Sequence, residues 1–83
     1  MDDKTRYEMI EKGRKAQIVK DLPEFTYVLE EIKKDLFNRF TSLDLGNDDE
    51  VANIHATTKA INRIVLQIDN YISLGKQAND IQT

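Results

Sequence analysis

Val51, Ile54, Thr58, Ile61, Val65, Ile68, Ile72 and Gly75 follow one another in steps of three and four without a slip. A mean repeat of 3.5 residues keeps one seam of a helix turned toward a neighbouring helix, as in coiled coils and bundles. The spacing predicts a helix over about 48–74, extending roughly 40 Å at 1.5 Å per residue. A second row, Ile61, Ile64, Ile68 and Tyr71, borders the first, and Leu66 and Leu74 add apolar area away from the main seam.

A second stripe precedes it. Phe25, Leu29, Ile32, Leu36, Phe40 and Leu43 are separated by 4, 3, 4, 4 and 3 residues, the spacing of one helix face. Tyr27, Val28 and Phe37 widen that face, while Glu30, Glu31, Lys33, Lys34 and Asp35 lie mostly opposite it. The start is punctuated by Asp21-Leu22-Pro23-Glu24, where Asp21 and Glu24 resemble a capping box and Pro23 suits a first turn. This helix is expected over about 22–42. Leu43-Asp44-Leu45-Gly46-Asn47 reads as a turn, with Gly46 able to take positive φ and Asn47 capping the next helix. A short turn between helices of similar length predicts an antiparallel hairpin.

The first helix is expected from about Lys4 to Lys20, with Asp2 or Asp3 as its N-cap. Its apolar residues Tyr7, Met9, Ile10, Ala16, Ile18 and Val19 form an irregular stripe. Gly13 interrupts them at a cost of about 1 kcal/mol relative to Ala. It is the least secure of the three. Gly13-Arg14-Lys15-Ala16 is echoed by Gly75-Lys76-Gln77-Ala78. In a hairpin both segments fall at the same end and would permit a tight crossing, although so short a match also arises by chance. The fold class is therefore all-α, a long hairpin with a shorter N-terminal helix. The whole of 1–83 forms one domain, and 1–5 and 79–83 are the segments most prone to fray.

The hairpin has more apolar surface than its two seams can bury. Phe25, Leu29, Phe37, Phe40, Ile61, Ile64, Val65, Ile68, Tyr71 and Ile72 are the expected protein-interface residues. A patch of that kind left open marks a binding surface. A homo-oligomer, assembled as a helical bundle, is the simplest way to cover it. In the alternative, the first helix folds over the hairpin and completes a monomeric three-helix bundle. Thr58 replaces an aliphatic residue in the seam, either to fix register or, more simply, to bond its hydroxyl to the preceding turn.

Composition narrows the function. The chain has 83 residues, no cysteine and a net charge of −3, so disulfides, thiolate metal sites and cysteine nucleophiles are excluded. Residues 1–20 hold six basic and four acidic side chains, whereas 21–50 hold three and nine. An acidic chain argues against a dedicated nucleic-acid binder, and Lys12, Arg14, Lys15 and Lys20 alternate with acids as on a solvated face. No stretch approaches a membrane span, and the polar start Met1-Asp2-Asp3-Lys4 does not resemble a secretory signal. A cytoplasmic protein is expected. His55 lacks a second histidine or a nearby nucleophile that would give it catalytic or metal chemistry. Asp44 to Glu50 departs from the calcium-loop pattern, because Gly46 is the third residue and no ligating glutamate closes the loop. No catalytic, cofactor or metal residue is assigned.

From Gly13 onward the chain resembles short helical accessory proteins of tailed bacteriophages. The resemblance is carried by Gly13 and Ala16, Asp21 to Phe25, Leu29 and Leu36, Asp48 to Glu50, and Ile61 through Tyr71 to Gly75, Lys76 and Ala78. Where that group favours a tryptophan late in the second helix, this chain has Phe37 and Phe40. The resemblance implies a non-enzymatic assembly protein of a bacterial host's cytoplasm or of the virion. It would self-associate and dock on a virion assembly component such as a capsid, portal or packaging protein. Alternatives are an inhibitor or modulator of a host protein, or a weak nucleic-acid binder.

Overall fold

The computed structural model describes residues 2–44 and 46–80, and three helices make up almost all of them. They are α1 (Asp3–Asp21), α2 (Pro23–Thr41) and α3 (Asp48–Asp80). No strand occurs among the described residues. The all-α class follows the two apolar stripes, and each helix start has a local cause. Asp2 caps α1, its carboxylate accepting the Thr5 N–H at 2.7 Å. Asn47 does the same for α3, accepting the Glu50 N–H at 3.4 Å. Between α2 and α3, Gly46 turns the chain at φ +96°, a conformation that L side chains rarely adopt.

The α2 start differs from the expected capping box. Helix α1 runs through Asp21 itself, so Asp21 belongs to a helix end and cannot act as an N-cap. Its carboxylate accepts from the Gln17 side chain at 2.9 Å. Leu22 alone links α1 to α2, with extended backbone and no side-chain cap. Pro23 supplies the break.

The larger difference lies in which helices pair. Helix α1, expected to be the weakest, packs mainly against α3, whereas α2 meets α3 far more sparsely. Cross-helix contacts run in one antiparallel order along the chain. Arg6 Nε donates to the Ala78 carbonyl at 2.9 Å, Gly13 meets Gly75, Lys20 pairs with Asp69 at 2.7 Å, and Arg39 pairs with Glu50. Thus α1 and α2 lie in succession along α3, as one arm broken at Leu22-Pro23. The chain is a hairpin of two rods, with a 33-residue α3 as its unbroken rod.

Small residues explain the unequal packing. A Cβ added to Gly13 would lie 2.7 Å from the Tyr71 carbonyl oxygen and 3.0 Å from the Gly75 Cα. The two backbones therefore touch with no side chain between them. Ala16 and Ala78 are buried beside the crossing, Ala78 to 1% exposure. Lys12 closes one flank, its Nζ lying 5.0 Å above the Tyr71 ring. This contact also carries α3 past its expected end near 74, because Gly75 and Ala78 are held in helix by packing that outweighs glycine's low propensity. The expected fraying of the ends concerns in part Met1 and 81–83, which, like Leu45, lie outside the described residues.

A rod-like molecule results. Its extents are 60 × 25 × 14 Å and its radius of gyration is 17.8 Å, against roughly 12 Å for a compact domain of this length. The 14 Å dimension is little more than one helix diameter. Helices in a single layer bury only the strip between them, so among the described residues the apolar core is limited to Ala16, Leu36, Ile54, Ile72 and Ala78.

Two stability outcomes follow. Gly13→Ala should lower stability by about 1–3 kcal/mol through overpacking, despite a gain in helix propensity of up to about 1 kcal/mol. Thermal unfolding checks this, and a rise in Tm would refute the close approach. The Asp2 carboxyl is held below its ordinary value of 3.8 by the Thr5 backbone and side-chain hydrogen bonds. Its contribution is thus complete above that value and lost as pH falls through the lowered one. Asp2→Ala should destabilise at neutral pH, and the difference from wild type should vanish in strong acid when the two Tm-against-pH curves are compared.

Candidate protein-interaction surface

Beyond the glycine crossing the hairpin opens. The α2 seam carries large side chains where α1 has glycine and alanine, so α2 cannot approach α3 as closely. Leu36 and Ile54 are both buried between the two helices, which otherwise meet sparsely. Between them lies a groove of about 440 Å³ whose apolar walls are Leu36, Phe37, Phe40, Val51, Ile54 and Ile61. Phe37 is 65% exposed and Phe40 52%. Aromatic side chains of this size normally carry much of a core's buried area. Here both rings border open space.

Helical phase accounts for the one-sidedness of the groove. At 3.6 residues per turn, residues nine apart lie about 180° apart. Phe37 and Val28 are therefore on opposite sides of α2, and His55 and Ile64 on opposite sides of α3. The groove takes Phe37 and His55, leaving Val28 and Ile64 on the reverse side, also exposed. The hairpin offers apolar residues on both of its flat faces.

Polar groups contribute little chemistry. Lys33, His55, Thr58 and Asn62 complete the groove lining, and all four are exposed. The Thr58 hydroxyl donates to the Ile54 carbonyl at 2.8 Å, the local bond that its seam position suggests. No acidic side chain lines the groove, although nine of the fifteen acids in the chain fall within 21–50. Nor do three His, Cys, Asp or Glu side chains come together in a metal-holding arrangement among the described residues. No described helix is long and apolar enough to cross a membrane.

The ten residues expected at an interface fall into three groups. Phe37, Phe40 and Ile64 are exposed, while Phe25, Leu29, Ile61, Val65, Ile68 and Tyr71 are half-buried along the seam. Ile72 is buried within the chain. Phe37, Phe40 and Ile61 meet in the groove, together with Leu36, Val51 and Ile54. Those last three belong to the same sequence stripes but were not among the expected interface residues. Lys33 was assigned to the solvated face, yet its place four residues before Phe37 puts it on the groove wall. Compared with models of known protein families, with curated proteins and with solved structures, the chain shows no match.

Substitutions should separate the contact points from the groove walls. Leu36→Ala or Ile54→Ala, at buried sites, should cost about 2–5 kcal/mol. Phe37→Ala should change the stability of the isolated chain much less, by under about 1 kcal/mol, because its ring is already largely in water. Urea titration of dilute protein, followed by far-UV circular dichroism, measures both.

Proposed function

We propose that this chain is a non-enzymatic protein-interaction protein that self-associates and docks on a larger protein chain. One observation carries the reading: a single-layer hairpin with two phenylalanine rings at the mouth of an open apolar groove. Such a surface gains free energy when a protein surface of matching shape displaces its water. Hydrophobic stripes of comparable size are ordinarily consumed in a core, and here the one-layer architecture leaves them unused.

The resemblance of residues 13–78 to short helical proteins of tailed bacteriophages supports a role in virion assembly, with a capsid, portal or packaging component as the larger chain. The polar lining of the groove also favours the non-enzymatic reading. Its polar members are dispersed and exposed, whereas general acid–base or nucleophilic catalysis requires groups oriented on one another.

Affinity capture from a lysate of phage-infected bacteria tests this. The tagged chain should retain a virion assembly component, and Phe37→Glu or Val28→Glu should abolish retention according to which face makes the contact. Retention of a host regulatory protein alone would replace assembly with host modulation. Failure to retain either class would end the docking reading.

A further inference from the structure

We propose that the α2–α3 groove is where two copies of this chain join, stacked groove to groove about a two-fold axis, with Phe37 and Phe40 of each seated in the groove of the other. The inference rests on the reading of this face as a protein-interaction surface and names its occupant.

Three observations favour a second copy. The first is area. The chain exposes 6642 Å², while a compact chain of 9.6 kDa exposes about 5,100 Å², leaving a surplus of roughly 1,500 Å². A stable dimer of standard size buries about 800 Å² per partner, so the surplus is large enough. The second is thickness. Stable domains consist of at least two packed layers, and a chain 14 Å thick supplies one. Stacking two hairpins on this face creates the missing layer and a four-helix core.

The third observation is self-complementarity. An isologous contact requires one patch to offer both what protrudes and what receives. This patch does so: the groove between Leu36 and Ile54 receives, and the exposed Phe37 and Phe40 rings protrude beside it. Charge permits the apposition as well. Segment 21–50 holds nine acids against three bases, and two such segments would ordinarily repel. Yet the groove walls contain no acid, only Lys33 and otherwise uncharged or histidine side chains. The faces can meet while the carboxylates remain in solvent.

Sedimentation or light scattering of the full chain over a dilution series tests the inference. Wild type should pass from twice the 9.6 kDa chain mass to the single-chain mass on dilution, with a Tm that rises with concentration. Phe37→Glu should move the midpoint to concentrations higher by about tenfold or more, as expected for an interface anchor. Its circular dichroism should be unchanged at low concentration; Phe37→Ser serves if the charge disturbs the fold. Val28→Glu, on the reverse face, should leave the midpoint in place. A monomer at every concentration overturns the proposal, as does a midpoint insensitive to Phe37 or one moved by Val28→Glu. If a monomeric wild type still captures a larger protein through Phe37, only the second copy is refuted and the docking reading stands. If it captures nothing, both fall.

Discussion

Where Gly13 meets Gly75, two helix backbones touch, and the shape of the rest of the molecule depends on that contact. It draws α1 onto the C-terminal half of α3 and holds α3 in helix through Asp80. It also sets a spacing that α2 cannot maintain. Past Leu22 and Pro23 the seam changes from glycine and alanine to leucine and phenylalanine, and the second half of the arm must stand farther from α3. The groove is the geometric consequence of joining a narrow seam to a wide one along a single straight rod.

The two-rod arrangement also limits what this fold can bury. A seam between two helices has solvent on both sides, so side chains there are covered by one neighbour and not surrounded. That is why only five hydrophobic residues are buried among the described residues, two of them alanines. The ion pairs do not offset this. Lys20–Asp69 and Arg39–Glu50 join exposed or half-buried partners at the surface, and such pairs contribute at most about 1 kcal/mol each. Their value is positional: they keep the broken arm in register with α3. Stability must come from the glycine crossing and from the few side chains that the seam buries.

Much of this was legible in the residues. Steps of three and four placed α2 and α3, Gly46 and Asn47 placed the turn, and the echo of Gly13-x-x-Ala16 in Gly75-x-x-Ala78 pointed to the crossing. The partner of α3 was harder to read, because apolar periodicity measures how greasy a face is, not how closely it can be approached. By that measure α2 outranks α1, with its large regular stripe against an irregular one. Close approach rewards the opposite property. Glycine weakens α1 as an isolated helix and strengthens it as a neighbour, and only the pairing decides which effect wins. Asp21 departs from its capping pattern for a related reason: such a pattern shows that a helix can start there, but α1 runs on through Asp21.

The two ends of the hairpin are therefore suited to different work. A seam closed backbone to backbone has no cavity to receive a side chain and no protruding side chain within it to offer. Any association through α1 and the end of α3 would have to use outer positions such as Tyr7 and Ile18, which are exposed. At the α2 end the same surface holds both a depression and the rings that border it, with α3 continuing behind it as a rigid support. Rigidity at the narrow end would favour the proposed binding at the wide end, because a groove whose walls are already placed loses less conformational entropy when it is filled. The glycines, far from the proposed contact, would thus act on the proposed association indirectly, by fixing the rod against which α2 diverges.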